Sequence, residues 1–332
     1  LWRPSGFVCD VPITSGSVSF SLSRADGDRS GSITVPGYSW EDLLSPKHYG
    51  WIVVTIDIDD ARWNLGEFPI TGTQVETPGG AVVVTLGDWA YRRSRSVVEE
   101  PANSLIVGTT VADMAAQHMS HVMPWTVTCT RDDTGGAMMP TEAKLGGGAD
   151  VWAAMQQAAG LSDARLVMTS RSTLELRRYD PAEAASEDLA GLLIRGTRTV
   201  SAAKGDACNR VVVRMDGADG QTFGAVRTLD TGPFAYGQEF GFAQIVENVR
   251  VESPSDDAAE AESMRIGNRR FGAMKSVDVQ TPVLPWLEVG DTVSVDIGGV
   301  LERVLIETLT VPLTANQPMR LTGRDGGWTG VR

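Results

Sequence analysis

The side chains in this sequence best suited to chemistry are three histidines, three cysteines and several clustered carboxylates, and their spacing limits what they could do. His118 and His121 lie three apart, and Cys129 follows eight residues later. Metal ligands are often spaced this way, but a structural zinc site closes with four ligands and only these three are near. They read as a histidine pair at a helix end, without a metal. Asp26-Gly27-Asp28-Arg29-Ser30-Gly31 puts oxygen donors at positions 1, 3 and 5 and glycine at 6, like the first half of a calcium loop. Position 12 is Gly37, where a bidentate glutamate belongs, so the segment reads as a polar turn between strands. The run Gly146-Gly147-Gly148 precedes a helix and could offer backbone N–H groups to an anion. No strand pattern leads into it and no Lys-Ser/Thr follows, so it is a helix entry rather than a phosphate loop.

Hydrolytic chemistry finds no better support. The chain has no Gly-x-Ser-x-Gly elbow, and the remaining histidine, His48, sits in a turn before a strand. Asp57, Asp59 and Asp60 cluster at a strand end, and Glu99-Glu100 precedes Pro101. A glycosidase needs two carboxylates facing across a cleft, and 42 acidic residues supply many accidental neighbours. Trp51, Trp63, Trp152 and Trp286 fall at strand or helix positions where core packing accounts for them. Trp286, between Pro285 and Leu287 at the entry to the Gly290-Asp291 turn, is expected to be buried, with a truncation cost of about 3–5 kcal/mol. The sequence assigns no catalytic residue, no cofactor-binding residue and no metal ligand, and the chain is not expected to be an enzyme.

These residues sit on a framework that the totals describe as β-rich. A length of 332 residues predicts two to four domains. With 42% hydrophobic and 21% charged residues the chain is globular rather than disordered. Thirty-six glycines and sixteen prolines imply many turns. No run approaches ~18 consecutive apolar residues, and Leu1-Trp2-Arg3-Pro4 lacks the features of a secretory signal. Cys9, Cys129 and Cys208 are odd in number and widely spaced, and read as free thiols. A net charge of −13 argues against gripping nucleic acid, which requires concentrated Lys and Arg. The clusters Arg92-Arg93-Ser94-Arg95 and Arg269-Arg270 read as solvated or acid-paired.

Alternation predicts strands at Ser17–Leu22, Ser32–Val35, Trp51–Ile58, Asn64–Thr71 and Ala81–Leu86. A helix follows at Thr110–Met119, with Thr110 as cap, and a second at Asp150–Gly160, with Asp150 as cap. The hairpin Ala164–Met168 with Thr173–Arg177 completes an α/β insert. Strands resume at Arg198–Ser201 and Asn209–Arg214, and residues 216–242 read as a long loop or hairpin. A third helix opens at Ser253-Pro254 and runs to about Phe271. Ser276–Thr281, the Gly290-Asp291 turn with its following strand, and the pair Val304–Leu313 and Met319–Arg324 close the chain. The fold class is mainly β with an α/β insert, divided into a β-barrel domain at 1–97, the insert at 98–182, a β-rich connection at 183–250, and a helix plus barrel at 251–332. There is no periodic repeat, although the two β-rich blocks could be structural relatives.

The order of short motifs resembles a known family. Ile13-Thr14-Ser15-Gly16-Ser17-Val18 followed by Ser32-Ile33-Thr34-Val35, then Leu65-Gly66-Glu67-Phe68-Pro69-Ile70 and Leu86-Gly87-Asp88-Trp89, are similar to the opening of minor tail proteins of long-tailed phages of actinobacteria. Asn209-Arg210-Val211-Val212-Val213 and the stretch Pro285-Trp286-Leu287-Glu288-Val289-Gly290-Asp291-Thr292-Val293 resemble later parts of the same tail-hub family. The resemblance implies a structural virion protein of the tail tip with two tube-type β-barrels per chain. It also implies a homotrimeric ring that joins a hexameric tube to a threefold tip, and a DNA channel without specific DNA binding. Expected partners are other tail proteins: a distal tail protein, a tape measure protein, and tail fibres or tip proteins. A host-binding adhesin and a cell-wall hydrolase of the tail tip are the alternative readings.

Overall fold

The computed structural model describes residues 1–22, 29–75, 80–90, 111–120, 123, 129–131, 151–160, 164–169, 173–178, 185–194, 198–202, 208–216, 221–230, 235–237, 241–242, 244–250, 255–271, 275–297 and 299–325. The expected helix caps Thr110, Asp150 and Ser253 lie outside these residues.

The first β block contains β1 (Trp2–Arg3), β2 (Gly6–Phe7), β3 (Ser15–Ser21), β4 (Arg29–Val35), β5 (Trp51–Ile58), β6 (Ala61–Val75) and β7 (Val82–Gly87). A short helix α1 (Trp40–Leu43) and a 3-10 turn at Pro46–His48 bridge β4 and β5. Next come α2 (Val111–Met119), β8 (Cys129–Arg131), α3 (Val151–Gly160), β9 (Ala164–Met168) and β10 (Leu174–Arg178). The chain continues through β11 (Glu187–Asp188), β12 (Thr199–Ala202), β13 (Arg210–Asp216), β14 (Thr222–Thr228), β15 (Gln244–Arg250) and α4 (Asp256–Arg270). It ends in β16 (Lys275–Thr281), β17 (Thr292–Ile297), β18 (Val300–Pro312) and β19 (Met319–Asp325). The fold is mostly β, with large antiparallel sheets.

Pairing shows that the two β blocks are the same unit used twice. In the first the strand order is β3-β4-β7-β6-β5; in the second it is β12-β16-β19-β18-β17. Both hairpins at the end of this order have two-residue turns, between Ile58 and Ala61 and between Ile297 and Val300. Asp59 and Asp60 have φ of 48° and 64°, and Gly299 has 89°, values that turn a hairpin with the natural strand twist. Both long strands carry a bulge where they leave one neighbour for the next, between Ile70 and Gly72 and between Ile306 and Thr308. The register equates Ser17-Val18-Ser19 with Thr199-Val200-Ser201, through Ser17↔Ser32 and Thr199↔Asp278. Beyond β4 and β16 each block continues Pro-x-x-x-Trp, as Pro36 to Trp40 and Pro282 to Trp286.

Among the described residues three apolar clusters result. The first joins both blocks: Val18, Ile33, Val84 and Phe68 share it with Val277, Val293, Ile306 and Val311. The second is the α/β insert, where Met114, Ala115, Trp152 and Met155 on two helices cover Leu166, Leu174 and Leu176 of the small sheet β8-β10-β9. Gln156 fixes α3 to that sheet, its amide donating to Leu166 O at 2.7 Å and accepting from Leu166 N at 3.1 Å. The third lies between α4 and the sheet β14-β13-β15, with Val211, Val213, Met215, Ala259 and Ile266 inside. Within the 216–242 stretch, Thr222–Thr228 forms β14 and pairs antiparallel with β13.

Trp286 departs from expectation. It is 44% exposed, its indole tilted on Trp63 at 5.4 Å and its Nε1 donating to Glu187 Oε2 at 3.0 Å. Leu284 and Leu287 take the core positions on either side of it. Trp63 is also only half-buried, whereas Trp51 and Trp152 are core residues. Truncating Trp286 therefore removes one aromatic contact and one half-solvated hydrogen bond, about 1 kcal/mol rather than 3–5. Phe68→Ala, at a fully buried ring, is expected to cost about 3–5 kcal/mol. Urea denaturation of the two variants side by side checks the difference.

Candidate functional site

The surface most suited to function is built where the blocks meet. The first half of β18 lies antiparallel to β17, and Thr308–Pro312 lies antiparallel to Ser17–Ser21 of β3. Val18 faces Val311 there, at 0% and 1% exposure, and Ser19 Oγ and Thr310 Oγ1 share a hydrogen bond of 3.1 Å. The bulge exposes the Glu307 carbonyl, which accepts from Leu22 N at 2.9 Å. The counterpart surfaces are unpaired among the described residues. Gly72–Val75 of β6 pairs with β7 on one side only, and β12 pairs with β16 on one side only. Val200, the counterpart of Val18, is 37% exposed.

Beneath the first block lies a buried polar cluster. Arg29 is 4% exposed, with its guanidinium 5.2 Å from the Phe20 ring centre and 5.8 Å from that of Phe68. Its backbone N–H donates to Oδ2 of Asp88, itself 1% exposed, at 3.1 Å. Gly66 has φ +131°, and a Cβ there would sit 2.5 Å from Arg29 Nη1, so only glycine lets the guanidinium pass. Burial pushes the neighbouring Glu67 carboxyl up to about 6, with the Arg29 charge pulling the other way. Gly66, Glu67, Phe68 and Asp88, from two of the family-like motifs, thus converge on one residue. Sequence reasoning placed Arg29 inside a failed calcium loop; its flanking alternation in β4 was the available signal.

A second polar contact anchors the insert to the second block. Arg177 of β10 donates to Glu175 Oε2 at 2.8 Å, Glu288 Oε2 at 2.6 Å and the Val289 carbonyl at 3.3 Å. Burial opposes its charge, but Glu288 and Glu175 outweigh that and hold its pKa above the ordinary value. The Gly290-Asp291 turn presents these acceptors: Gly290 has φ +93°, and Asp291 Oδ2 accepts from Glu288 N at 2.8 Å.

The candidate residues from the sequence fall on separate elements where the structure describes them. His118 is half-buried on α2 and Cys129 is half-buried on β8, while His121 lies outside the described residues. Asp26, Asp28, Gly146-Gly147-Gly148 and Glu99-Glu100 also lie outside them. Asp57 pairs with Arg62 across the exposed hairpin at 2.8 and 3.0 Å, and that hydrogen bond lowers its pKa. Asp59 and Asp60 form the tip. Among the described residues no three His, Cys, Asp or Glu side chains form a group able to hold a metal ion. Among them, no helix is long and apolar enough to cross a membrane. A groove of about 390 Å³ beside β5 has a mixed lining, with Ile13, Ile52 and Leu313 alongside Asp10, Asn316 and Gln317.

No protein-family model matches the chain, and no curated protein matches it by sequence. Solved structures do match its fold. A tail protein from Neisseria meningitidis MC58 is similar over 94% of this chain and 91% of its own, with a TM-score of 0.68 and 13% identity. The 43 kDa tail protein of prophage MuSo2 from Shewanella oneidensis covers 94% of both chains, at 0.65 and 11%. Prophage tail protein gp18 from Listeria monocytogenes covers 96% of this chain and 90% of its own, at 0.59 and 10%. The chain has the fold of phage tail proteins along almost its whole length.

Two outcomes follow from the polar contacts. Between pH 4.5 and about 6 folded Glu67 keeps a proton that the unfolded chain has released, so stability falls as pH rises through that window and levels off above it. The full effect would be about 2 kcal/mol, and solvent access to a half-buried group reduces it to about 1. Glu67→Gln should be more stable than the parent by about 1 kcal/mol at pH 7.5 and equal to it at pH 4, as read by urea titration. Arg177→Met leaves three carboxylates, those of Glu175, Glu288 and Asp291, without their cation and should cost about 1–3 kcal/mol, between the limits for surface and buried pairs. Hydrogen exchange should show β9 and β10 losing protection before β18 does.

Proposed function

We propose that this chain is a structural tail-tip hub of a long-tailed bacteriophage, of the kind its motifs resemble in phages of actinobacteria. The observation that carries the reading is the duplicated β block within a fold shared end to end with phage tail proteins. A chain with two equivalent blocks can present six of them from three copies. Such a homotrimeric ring would match a hexameric tail tube on one side and a threefold tip on the other. Head-to-tail contacts between copies either close or grow without limit, and a tail of defined width requires closure. The distal tail protein, the tape measure protein, and tail fibres or tip proteins are the neighbours this position implies, and the virion tail is its location.

The net charge of −13 supports a channel that passes DNA without holding it. Each phosphate neutralised by a basic wall would release counterions and add affinity. In this reading the chain works by shape and assembly, with no catalytic centre, cofactor or metal. Electron microscopy of assembled tails, with the chain located by a bound antibody fragment, tests the proposal. The expected image is a threefold ring at the tail tip, with more Asp and Glu than Lys and Arg facing the axis. A position along the tail shaft, or a lumen lined by arginines, would refute it. Clearing of host cell wall by the purified chain in a zymogram would favour the hydrolase reading instead.

A further inference from the structure

We infer that the edge of β5 at Val54 and Thr55 takes an extended segment of a partner polypeptide. The segment would lie parallel to β5, place a leucine-sized side chain in the adjoining groove, and carry Lys or Arg on the residues facing the edge. The chain supplies the template, because the same place in its second block is already filled. This site is separate from the junction between the blocks and needs no second copy of the chain.

The two-residue turns after Ile58 and Ile297 align β5 with β17. Counting back from them sets Val54 on Val293, Thr55 on Ser294 and Ile56 on Val295. In the second block the outer edge of β17 is covered by β11, which runs parallel to it with Glu187↔Val293 and Asp188↔Ser294. Ser186 N donates to the Thr292 carbonyl at 2.7 Å and Leu189 N to the Ser294 carbonyl at 2.9 Å. Leu189 is fully buried in the shared apolar cluster, and Val295 is 0% exposed. In the first block β1 meets β5 only at Trp2↔Trp51, and beyond it this edge is unpaired among the described residues. The groove of about 390 Å³ opens there, with Val54, Thr55 and Ile56 in its lining. Ile56 is only half-buried, and Ile13, also in the lining, is 41% exposed.

The segments leading into β3 and β12 end alike. Thr14 N donates to the Thr34 carbonyl and Ile194 N to the Gln280 carbonyl, both at 2.9 Å, and those acceptors are equivalent in register. Upstream they diverge: residues 186–189 lie along β17, whereas β2 pairs with β1 instead. A strand edge recognises an extended backbone through its N–H and C=O groups, and adjoining pockets read the side chains. The place of Leu189 shows which side chain turns inward, the one following the pair that faces Val54 and Thr55. The charge of the partner follows from the surroundings. Asp10 is the charged side chain in the groove lining among the described residues, and Asp59 and Asp60 turn the hairpin at the end of β5. Asp57 on the same strand is already paired with Arg62. Lys or Arg in place of Glu187 and Asp188 complements that field, while an acidic segment is repelled by it.

The test titrates the full chain with a labelled peptide, Ala-Ser-Lys-Lys-Leu-Ala, which is residues 185–190 with both acids replaced by lysine. Fluorescence anisotropy should show it binding about tenfold more tightly than the parent Ala-Ser-Glu-Asp-Leu-Ala or the variant Ala-Ser-Lys-Lys-Ser-Ala. Hydrogen exchange at the Thr55 amide, the counterpart of Ser294, should slow on binding, while that at Ser201 does not change. Ile13→Lys, at an exposed side chain, should weaken binding about tenfold and leave the melting temperature unchanged. No binding at about 1 mM peptide overturns the site. Equal binding of the acidic peptide, protection that falls on another strand, or indifference to Ile13→Lys also overturns it. Slow exchange at Thr55 in the chain alone means that the chain fills its own edge. Slowing that grows with chain concentration means that a second copy does, and either result overturns a partner segment. None of these outcomes bears on the ring at the tail tip, which the position of the chain in assembled tails decides.

Discussion

β18 has to satisfy three neighbours, and a straight strand of ordinary length could not do so. Its thirteen residues run against β17 first, then β19, then β3. The shift between Ile306 and Thr308 lets it change partners, since an inserted residue bends a strand and strengthens its twist. On both sides of that bend its inward residues, Val304, Ile306, Leu309 and Val311, enter one apolar cluster with both blocks. The two halves of the protein are therefore continuous in hydrogen bonding and in core.

Equal backbones leave the two blocks free to differ inside. Arg29 in the first block corresponds to Lys275 in the second through the pairing of β3 with β4 and β12 with β16. In the first block that cation lies against Phe20 and Phe68 and under Gly66, where its charge acts on Glu67, while the Arg29 backbone N–H donates to Asp88. A charge so placed is tolerated only with partners, because removing it from water costs several kcal/mol. The second block pairs Arg320 with Asp278 and Arg324 with Glu307, and it is also tied to the insert through Arg177 and the turn at Gly290-Asp291.

Most strands were legible because alternation survives wherever one face is buried: Trp51–Ile58 has the same bounds in the sequence reading and in the structure. Both insert helices were legible too, their buried residues lying at helical spacing, as Ala112, Ala115 and Met119 do. The duplication was legible only as two β-rich blocks that could be related, without a residue-by-residue match. Residues 22–28 separate β3 from β4, whereas residues 203–274, holding a whole sheet and α4, separate β12 from β16. What remained in common was Ser-Val-Ser against Thr-Val-Ser and a shared Pro-x-x-x-Trp, too short to align across such an insertion. Trp286 was misread for a different reason. Proline, aromatic, leucine describes a core entry and an exposed indole equally well, and the deciding partner, Glu187, is 99 residues away. Arg29 shows the same limit, since its aromatic and acidic neighbours come from β3, β6 and the end of β7.

Duplication within one chain changes how a ring can assemble. If copies of the chain close into a ring, every second junction between blocks forms when the chain folds, with both partners held at high effective concentration by the connecting polypeptide. Only the alternate junctions then depend on how many copies are present. The number of blocks is necessarily even, so an odd number of chains can still present a surface with an even number of similar positions. Divergence between the blocks breaks the remaining equivalence, because the α/β insert and the α4 sheet are attached once per chain rather than once per block. With three copies, a threefold set of appendages on a nearly sixfold band would be the geometric consequence.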